Sequence, residues 1–135
     1  MRIFCLSASD VTTETIWEDV REHFERFAAI RGEAAPAQVR QAAADSSAQI
    51  WGLQDAEEVH AVVVTELKAT AKGIRCDIWI AHGGAPIPIQ ERLLDEIGRW
   101  AKEIGCYAVR VMGRKGWKRR FPRFREVGVI LEWSL

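Results

Sequence analysis

The sequence predicts one α/β domain over residues 1–135, in which a central, mostly antiparallel sheet has helices on both faces. Three observations predict it. The 135 residues, 48% of them hydrophobic, suffice for one core. Runs rich in β-branched residues alternate with segments of helical apolar spacing. The three central runs are joined by short turns, which is typical of an antiparallel meander. The predicted order is β-α-α-β-β-β-α-β-α-β.

The first half begins with a strand and two helices. Residues 1–8 alternate loosely and predict the first strand. A helix from Thr13 follows, because apolar residues recur there at helical spacing: Ile16, Val20, Phe24, Phe27 and Ala28. Pro36 begins a second, Ala-rich helix that ends near Ala44, since a residue in the first turn needs no amide donor.

Residues 49–53, 59–68 and 74–81 predict three strands, and the β-branched run 62–64 suggests that the second is buried on both faces. The clearest helix begins at Pro88 or Ile89 and ends at Gly105. We expect its face to pack against the sheet; the face comprises Ile97, Trp100 and Ile104, and the sheet residues are Val62, Val64, Ile78, Val109 and Val111. Residues 107–112 predict a strand, 113–123 a short basic turn or helix, and 126–133 the last strand.

Charge is distributed unevenly, although the formal net charge is zero. Residues 109–135 contain eight Lys and Arg but two acidic residues, and residues 1–108 contain the other 11 cations and 17 acids. No acid interrupts the cations, which are Arg110, Arg114, Lys115, Lys118, Arg119, Arg120, Arg123 and Arg125. Several of them must face solvent or an acidic partner.

Other classes of protein fit the sequence poorly. The apolar runs are too short for a membrane span. The apolar stretch within the first ten residues is too short for a signal peptide. We therefore expect a soluble, intracellular protein. Cys5, Cys76 and Cys106 form no CxxC pair and are expected to be core thiols. The three histidines have no metal-binding spacing, so no metal is expected.

The predicted order of elements resembles the GNAT acyltransferase fold over nearly the whole chain, and the second half adds likeness in individual residues. Leu93, Leu94, Ala101, Gly105 and Cys106 have the spacing of the family's main helix, and residues 124–132 resemble its closing strand. Gly105-Cys106 followed by the string GRKGW at 113–117 is similar to small GNAT-like proteins of tailed bacteriophages. The family resemblance implies an acetyl-CoA-dependent N-acetyltransferase; the narrower one implies a virion protein, present in the host cytoplasm during assembly and then in the particle.

The sequence departs from this family where coenzyme A should bind. The family holds the pyrophosphate with a Q/R-x-x-G-x-G/A turn, and the aligned residues here are 85–90, APIPIQ. Pro86 and Pro88 have no amide hydrogen, and no cation is present. His82, Gly83 and Gly84 are candidates for phosphate binding after a shift in register, although a glycine pair after a strand is more often a turn. We therefore expect coenzyme A to bind weakly or not at all.

Catalytic groups are also few. The family resemblance implies a carboxylate or ordered water as base and a late tyrosine as acid, but the one tyrosine, Tyr107, begins a strand. Glu66, Asp77 and His82 are the candidate bases. For both carboxylates, a solvated strand position is the simpler interpretation.

Three function classes follow. The first is a catalytically degenerate virion accessory protein that docks on virion or tail proteins, or on itself in a ring, with Trp117 as anchor within the basic segment Arg114, Lys115, Trp117, Lys118, Arg119, Arg120, Arg123 and Arg125. The second is an acetyl-CoA-dependent N-acetyltransferase. The third is a nucleic-acid-binding module, because Trp117 lies among cations and could stack on a base. Packing of Trp117 over the sheet is the structural alternative.

Overall fold

Five strands form one sheet, in which their order along the sheet is their order along the chain. The strands are β1 (Arg2–Leu6), β2 (Ala48–Gln54), β3 (Val59–Thr70), β4 (Gly73–Gly83) and β5 (Cys106–Val111). The helices are α1 (Ala8–Thr12), α2 (Glu14–Arg31), α3 (Pro36–Ala44), α4 (Ile87–Glu103) and α5 (Lys115–Arg120). This computed structural model describes residues 1–32, 34–113 and 115–135, without the side chain of Lys115.

The sheet is antiparallel from β1 to β4, and β5 is parallel to β4. A parallel pair needs a crossover connection, which α4 supplies here. The predicted antiparallel meander of β2, β3 and β4 is therefore confirmed, and α3 has the predicted bounds.

Helices cover both faces, as the sequence predicts, and each face has its own core. On one face, Trp17, Val20 and Phe24 of α2 pack with strand residues that include Val62 and Val64. On the other face, Leu93 and Ile97 of α4 pack with Ile78 and its neighbours, and Phe121 closes this core after α5.

The predicted contacts of α4 are partly wrong. Ile97 is completely buried and Trp100 packs in the same core as Ile78, Val109 and Val111, as expected. However, Val62 and Val64 lie in the opposite core, because side chains alternate across a strand. Ile104 is 41% exposed, since α4 ends at Glu103 and Ile104 lies at its cap.

The chain between β1 and α2 also differs from the prediction. Residues Ala8–Thr12 form the short helix α1. Ser7 begins it with a capping box: the Ser7 hydroxyl accepts from the Asp10 amide at 3.1 Å, and the Asp10 carboxylate accepts from the Ser7 amide at 2.9 Å. The Ser-x-x-Asp signal was present in the sequence, but the alternation of residues 1–8 obscured it.

The predicted last strand over residues 126–133 is wrong. These residues form no strand, and every residue from Arg125 to Leu135 is exposed. A segment rich in β-branched residues forms a strand only where a neighbouring strand supplies backbone hydrogen bonds. Residues 126–133 are exposed and have no such neighbour within the described part of the chain.

The prediction that the cysteines are core thiols does not hold for all three. Cys76 is buried and Cys106 half-buried, but Cys5 is exposed on β1 and is not a core thiol. Within the described residues, no helix is long and apolar enough to span a membrane.

Candidate active site

A polar cavity of about 650 Å³ lies at one end of the sheet, between α2, the start of β3 and the end of β4. All three histidines of the chain line it, together with five carboxylates: His23, His60, His82, Asp19, Glu22, Asp55, Glu57 and Glu58. Among the described lining residues the one Lys or Arg is Arg26, which pairs with Glu22 at 2.5 Å. The cavity therefore has an acidic wall.

Two of these histidines contact each other. Nδ1 of His23, on α2, lies 3.0 Å from Nδ1 of His82, on β4, and Nε2 of His23 lies 2.7 Å from the carbonyl oxygen of Val59. A carbonyl only accepts, so Nε2 of His23 is the donor. With both rings neutral, Nδ1 of His23 then accepts from Nδ1 of His82. This leaves the lone pair of His82 on Nε2.

The surroundings of His82 favour its neutral form. Its pKa is lowered from 6.5, first by partial burial and then by the neighbouring His23 and Arg26. Lower pKa keeps Nε2 able to accept a proton at neutral pH. The hydrogen bond to His23 would stabilise the charge that such a proton brings. This is the arrangement of a general base with a group that orients it.

His60 also lines the cavity, and its pKa is shifted in the opposite direction from that of His82. Its Nε2 donates to Asp55 Oδ2 at 2.6 Å. This hydrogen bond raises the pKa of His60 above 6.5 and lowers the pKa of Asp55 below its usual 3.8, with amides of Glu57 and Glu58 also donating to the carboxylate. The pair therefore has an ionised carboxylate and a stabilised imidazolium.

The glycine pair has a structural role. Gly83 has a φ of +107°, and a Cβ there would lie 2.2 Å from the carbonyl oxygen of His60. The amide of Gly84 donates to that same oxygen at 3.1 Å. Gly83 thus permits the close approach of β3 and β4, and the amide of Gly84 is already used, so the pair is a poor phosphate site.

The start of α4 offers few free amides. Pro86 is its N-cap and Pro88 lies in its first turn, so neither donates. The amides of Ile89 and Gln90 both donate to the Pro86 carbonyl, at 3.0 and 3.1 Å. These residues therefore do not fit the diphosphate of coenzyme A, although a helix start is usually an anion site.

The edge of β4 fits an extended ligand better. Pairing of β4 with β5 ends at Ile78 and Val111, while β4 continues to Gly83. Along residues 79–83 the strand has no β5 partner within the described part of the chain. Free backbone groups at a strand edge can pair with an extended amide-containing chain, as in β-strand addition.

The two predicted carboxylate bases lie elsewhere. Asp77 accepts from both Nε and Nη2 of Arg75, at 2.6 and 2.8 Å, so each of its carboxylate oxygens is already paired with this guanidinium. Glu66 lies opposite Asp77 across β3 and β4, beside Lys68 at 3.6 Å. Val62 pairs with His82, and at roughly 3.3 Å per residue Glu66 is about 13 Å further along β3. Of the three candidate bases, His82 alone lies in the cavity.

The basic segment is only partly available to a partner. Lys118, Arg119, Arg120 and Arg125 are exposed. Arg123 instead pairs with Asp95 at 2.8 Å and with Glu91 at 3.0 Å on α4. Arg114 and the side chain of Lys115 lie outside the described residues. Four cations therefore remain as exposed candidates for docking.

The Trp117 side chain packs against other residues of its own chain. Its ring lies 5.5 Å from the Phe121 ring and 5.8 Å from the Phe124 ring, measured between centroids. A Cβ on Gly113 would approach the same indole to 2.6 Å. This packing favours the alternative in which Trp117 closes one core, and its role as an interface anchor stays a prediction.

His23 and His60 were not predicted as site residues. His23 follows the buried Val20 by three residues and precedes the buried Phe24, which places it at the border of the apolar face of α2. That position was the available signal in the sequence. Within the described residues, no three His, Cys, Asp or Glu side chains are grouped so as to hold a metal ion.

Comparisons with known proteins agree on the architecture. No family model matches the chain, and no curated protein matches it by sequence. Among solved structures, it is similar to an aminoglycoside acetyltransferase from an uncultured soil metagenomic sample in complex with trehalose, with TM-score 0.75, 11% identity, and 99% of this chain and 95% of that one covered.

Two further structures show the same relationship. A predicted acetyltransferase with acetyl-CoA from Clostridium acetobutylicum has TM-score 0.72 and 12% identity, covering 98% of this chain and 95% of that one. Glucosamine-6-phosphate N-acetyltransferase from Arabidopsis thaliana has TM-score 0.70 and 11% identity, covering 98% and 97%. Together with the sheet order and the crossover helix α4, these likenesses show that the chain has the GNAT acetyltransferase fold.

Proposed function

We propose that this protein is an N-acyltransferase that acts on a cationic amine, with His82 as the general base. The observation that carries the proposal is the pair of His23 and His82 in an acidic cavity, at the end of the strand whose edge is free. The structural likeness to acetyltransferases supports this reaction class over a purely structural role.

The acidic wall indicates the acceptor. Asp19, Glu22 and the loop carboxylates at positions 55, 57 and 58 would attract an ammonium group into the cavity. An ammonium group has no free lone pair, so it must lose a proton before its nitrogen can attack an acyl carbon. Nε2 of His82 takes that proton, while Nδ1 of His82 keeps its hydrogen bond to His23. A small polyamine or an amino sugar has this charge and this size.

The acyl donor would lie along residues 79–83 of β4. A thioester on a pantetheine arm would supply the reactive carbonyl there, and its amides would match the free strand edge. The amine nitrogen would bond to the carbonyl carbon as the carbon–sulfur bond breaks, and the thiolate would leave and take up the proton that His82 had accepted. The start of α4 offers few amide donors to the diphosphate of coenzyme A, because two of the residues there are prolines. We expect acetyl-CoA to be used, with an affinity that depends little on its nucleotide.

The test is a thiol-release assay with acetyl-CoA and a panel of spermidine, kanamycin and glucosamine. Replacement of the base, His82→Gln, should lower kcat by about 10²- to 10⁴-fold. Glu66→Gln is the matched control, since Glu66 lies outside the cavity, and should leave turnover unchanged. Turnover that survives His82→Gln, or that is lost in Glu66→Gln, would overturn the assignment.

A second candidate function is docking on other proteins of a bacteriophage particle. The exposed cations Lys118, Arg119, Arg120 and Arg125 favour it. The phage setting comes from the resemblance of Gly105-Cys106 and the 113–117 string. A triple charge reversal, Lys118→Glu with Arg119→Glu and Arg120→Glu, should abolish capture by an acidic protein partner. Loss of DNA or RNA binding in the same variant would instead support the nucleic-acid interpretation.

A further inference from the structure

A second cavity, of about 1050 Å³, borders the acidic cavity. Gln54, Asp55 and Ala56, at the end of β2 and in the loop before β3, line both cavities. The rest of the second cavity is lined by residues at the start of β1 and on α4: Met1, Arg2, Ile3, Arg92 and Glu96. The two cavities are therefore neighbours with one shared wall.

The carboxylates of the second cavity already have cationic partners. Asp55 accepts from Nε2 of His60 at 2.6 Å. Glu96 pairs with Arg99, which lies three residues further along α4. Neither acid is therefore left to balance the arginines that line the same cavity, and the second cavity has the opposite charge from the acidic cavity.

The two arginines of the second cavity keep their charge available for a ligand. Arg2 and Arg92 are both exposed, and neither forms an ion pair within the described residues. With the Gln54 amide oriented to satisfy its hydrogen bonds, its oxygen accepts from Nε of Arg2 at 3.0 Å and also from Nη2. This partner is neutral, so it orients the guanidinium without cancelling its charge. The remaining N–H groups can bind a carboxylate.

The register of the sheet gives the distance between the two sites. Phe4 of β1, Gly52 of β2, Val62 of β3 and His82 of β4 lie level with one another. At about 4.8 Å for each neighbouring pair, β1 and β4 are roughly 14 Å apart, and Arg2 lies two residues from Phe4. Arginine and histidine side chains both extend several ångströms from the backbone. A ligand that reaches both sites must therefore span on the order of 10 Å.

We propose that the preferred acyl acceptor carries a carboxylate about 10 Å from its amine, as a short extended peptide with an acidic third residue does. Its amino group lies beside His82 in the acidic cavity, and its carboxylate binds Arg2 and Arg92 in the second cavity. The inference rests on the proposed acyl transfer and extends the acceptor beyond the acidic cavity. Small amines without a carboxylate use the acidic cavity alone.

The first experiment measures binding without an acyl donor, by NMR titration of the nitrogen-15-labelled chain. The probes are the peptides AAEA and AAQA, both amidated at the carboxyl end, which differ by one charge. At low salt the wild-type protein should bind AAEA about five- to tenfold more tightly, because two exposed charge pairs contribute that much together. The double variant Arg2→Gln with Arg92→Gln should bind both peptides equally.

The matched control is Arg125→Gln, which removes an exposed cation outside both cavities and should keep the preference for AAEA. Far-ultraviolet circular dichroism checks that all variants are folded. Equal binding of the two peptides by the wild type, or a preference that survives in the double variant, would overturn the inference. Loss of the preference in Arg125→Gln would overturn it too, because the effect would then come from overall charge.

The second experiment measures acyl transfer from acetyl-CoA to the same peptides. KM for AAEA should be lower by the same factor and kcat equal, since the carboxylate binds away from the reacting atoms. If spermidine is acylated but the peptides show no such difference, the proposed function stands and this inference fails. Charge-selective binding without acylation of any amine would refute the proposed function and leave the ligand site across the two cavities in place.

Discussion

Nδ1 of His23 and Nδ1 of His82 lie 3.0 Å apart, although 59 residues separate them in sequence. His23 lies on α2, and His82 lies near the end of β4, where it pairs with Val62 of β3. The contact fixes the orientation of the His82 ring, because His23 is itself held by the Val59 carbonyl. The chemistry proposed for the cavity depends on this one contact.

His23 is proposed as a positioning residue, and two variants test it. His23→Leu removes the acceptor for His82 Nδ1, and we expect kcat to fall at least about tenfold with KM little changed. His23→Gln retains an acceptor oxygen and should restore most of the rate. Equal losses in the two variants would indicate that His23 only fills space.

The pKa values of His60 and His82 should lie on opposite sides of 6.5 when they are measured by NMR. His82 should titrate below 6.5, because burial lowers its pKa, and His60 above 6.5, because Asp55 accepts its hydrogen bond. Asp55→Asn should bring the pKa of His60 back towards 6.5 and leave that of His82 unchanged.

The directions of these two pKa shifts determine how the free energy of unfolding depends on pH. Neutral His82 contributes to the free energy of unfolding above pH 6.5, and this contribution is lost as the pH falls through the lower pKa of the folded state. Protonated His60 contributes below pH 6.5, and this contribution is lost as the pH rises through the higher pKa of the folded state. A His82 whose pKa lies above 7 would contradict its assignment as a base that is neutral at pH 7.

Gly83→Ala and Gly84→Ala should differ sharply. Alanine at 83 would be strained by the φ of +107° and by the His60 carbonyl, so we expect a loss of more than about 2 kcal/mol in the free energy of unfolding. At Gly84 nothing lies within 4 Å of the new Cβ, and the change should stay within about 0.5 kcal/mol. Urea unfolding curves measure both; similar losses would argue against the close approach of β3 and β4.

Ile97 and Ile104 form a second matched pair, on α4. Ile97 is completely buried, and Ile97→Ala should cost about 2 to 5 kcal/mol, as for other large-to-small changes in a core. Ile104 is 41% exposed, so Ile104→Ala should cost less than about 1 kcal/mol. Near-neutral behaviour of Ile97→Ala, measured by urea unfolding at constant m-value, would contradict the packing of α4.

The acyl donor should bind with little help from its nucleotide. Because Pro86 and Pro88 have no amide hydrogen, acetyl-pantetheine should bind within about threefold of acetyl-CoA in isothermal titration. A difference of tenfold or more in favour of acetyl-CoA, about 1.4 kcal/mol, would show that the diphosphate has a real site.

The sequence by itself determined the elements that depend on local pattern. The helix at Pro36, the helix stop at Gly105 and the three central strands follow from periodicity and from residues with special backbone preferences, and they lie where the pattern predicts. The shortage of amides at Pro86 and Pro88 could also be read directly, since a missing donor is a property of the residue itself.

Tertiary structure alone decided which distant residues meet. The convergence of His23, His60 and His82 depends on how α2 crosses the sheet, and no spacing in the sequence encodes that crossing. Val62 and Val64 lie in the core under α2 and not in the core under α4, and this depends on which face of the sheet each helix covers. Residues 126–133 have the pattern of a strand, yet they form none here, because a strand exists only through hydrogen bonds to a neighbour that the sequence does not name.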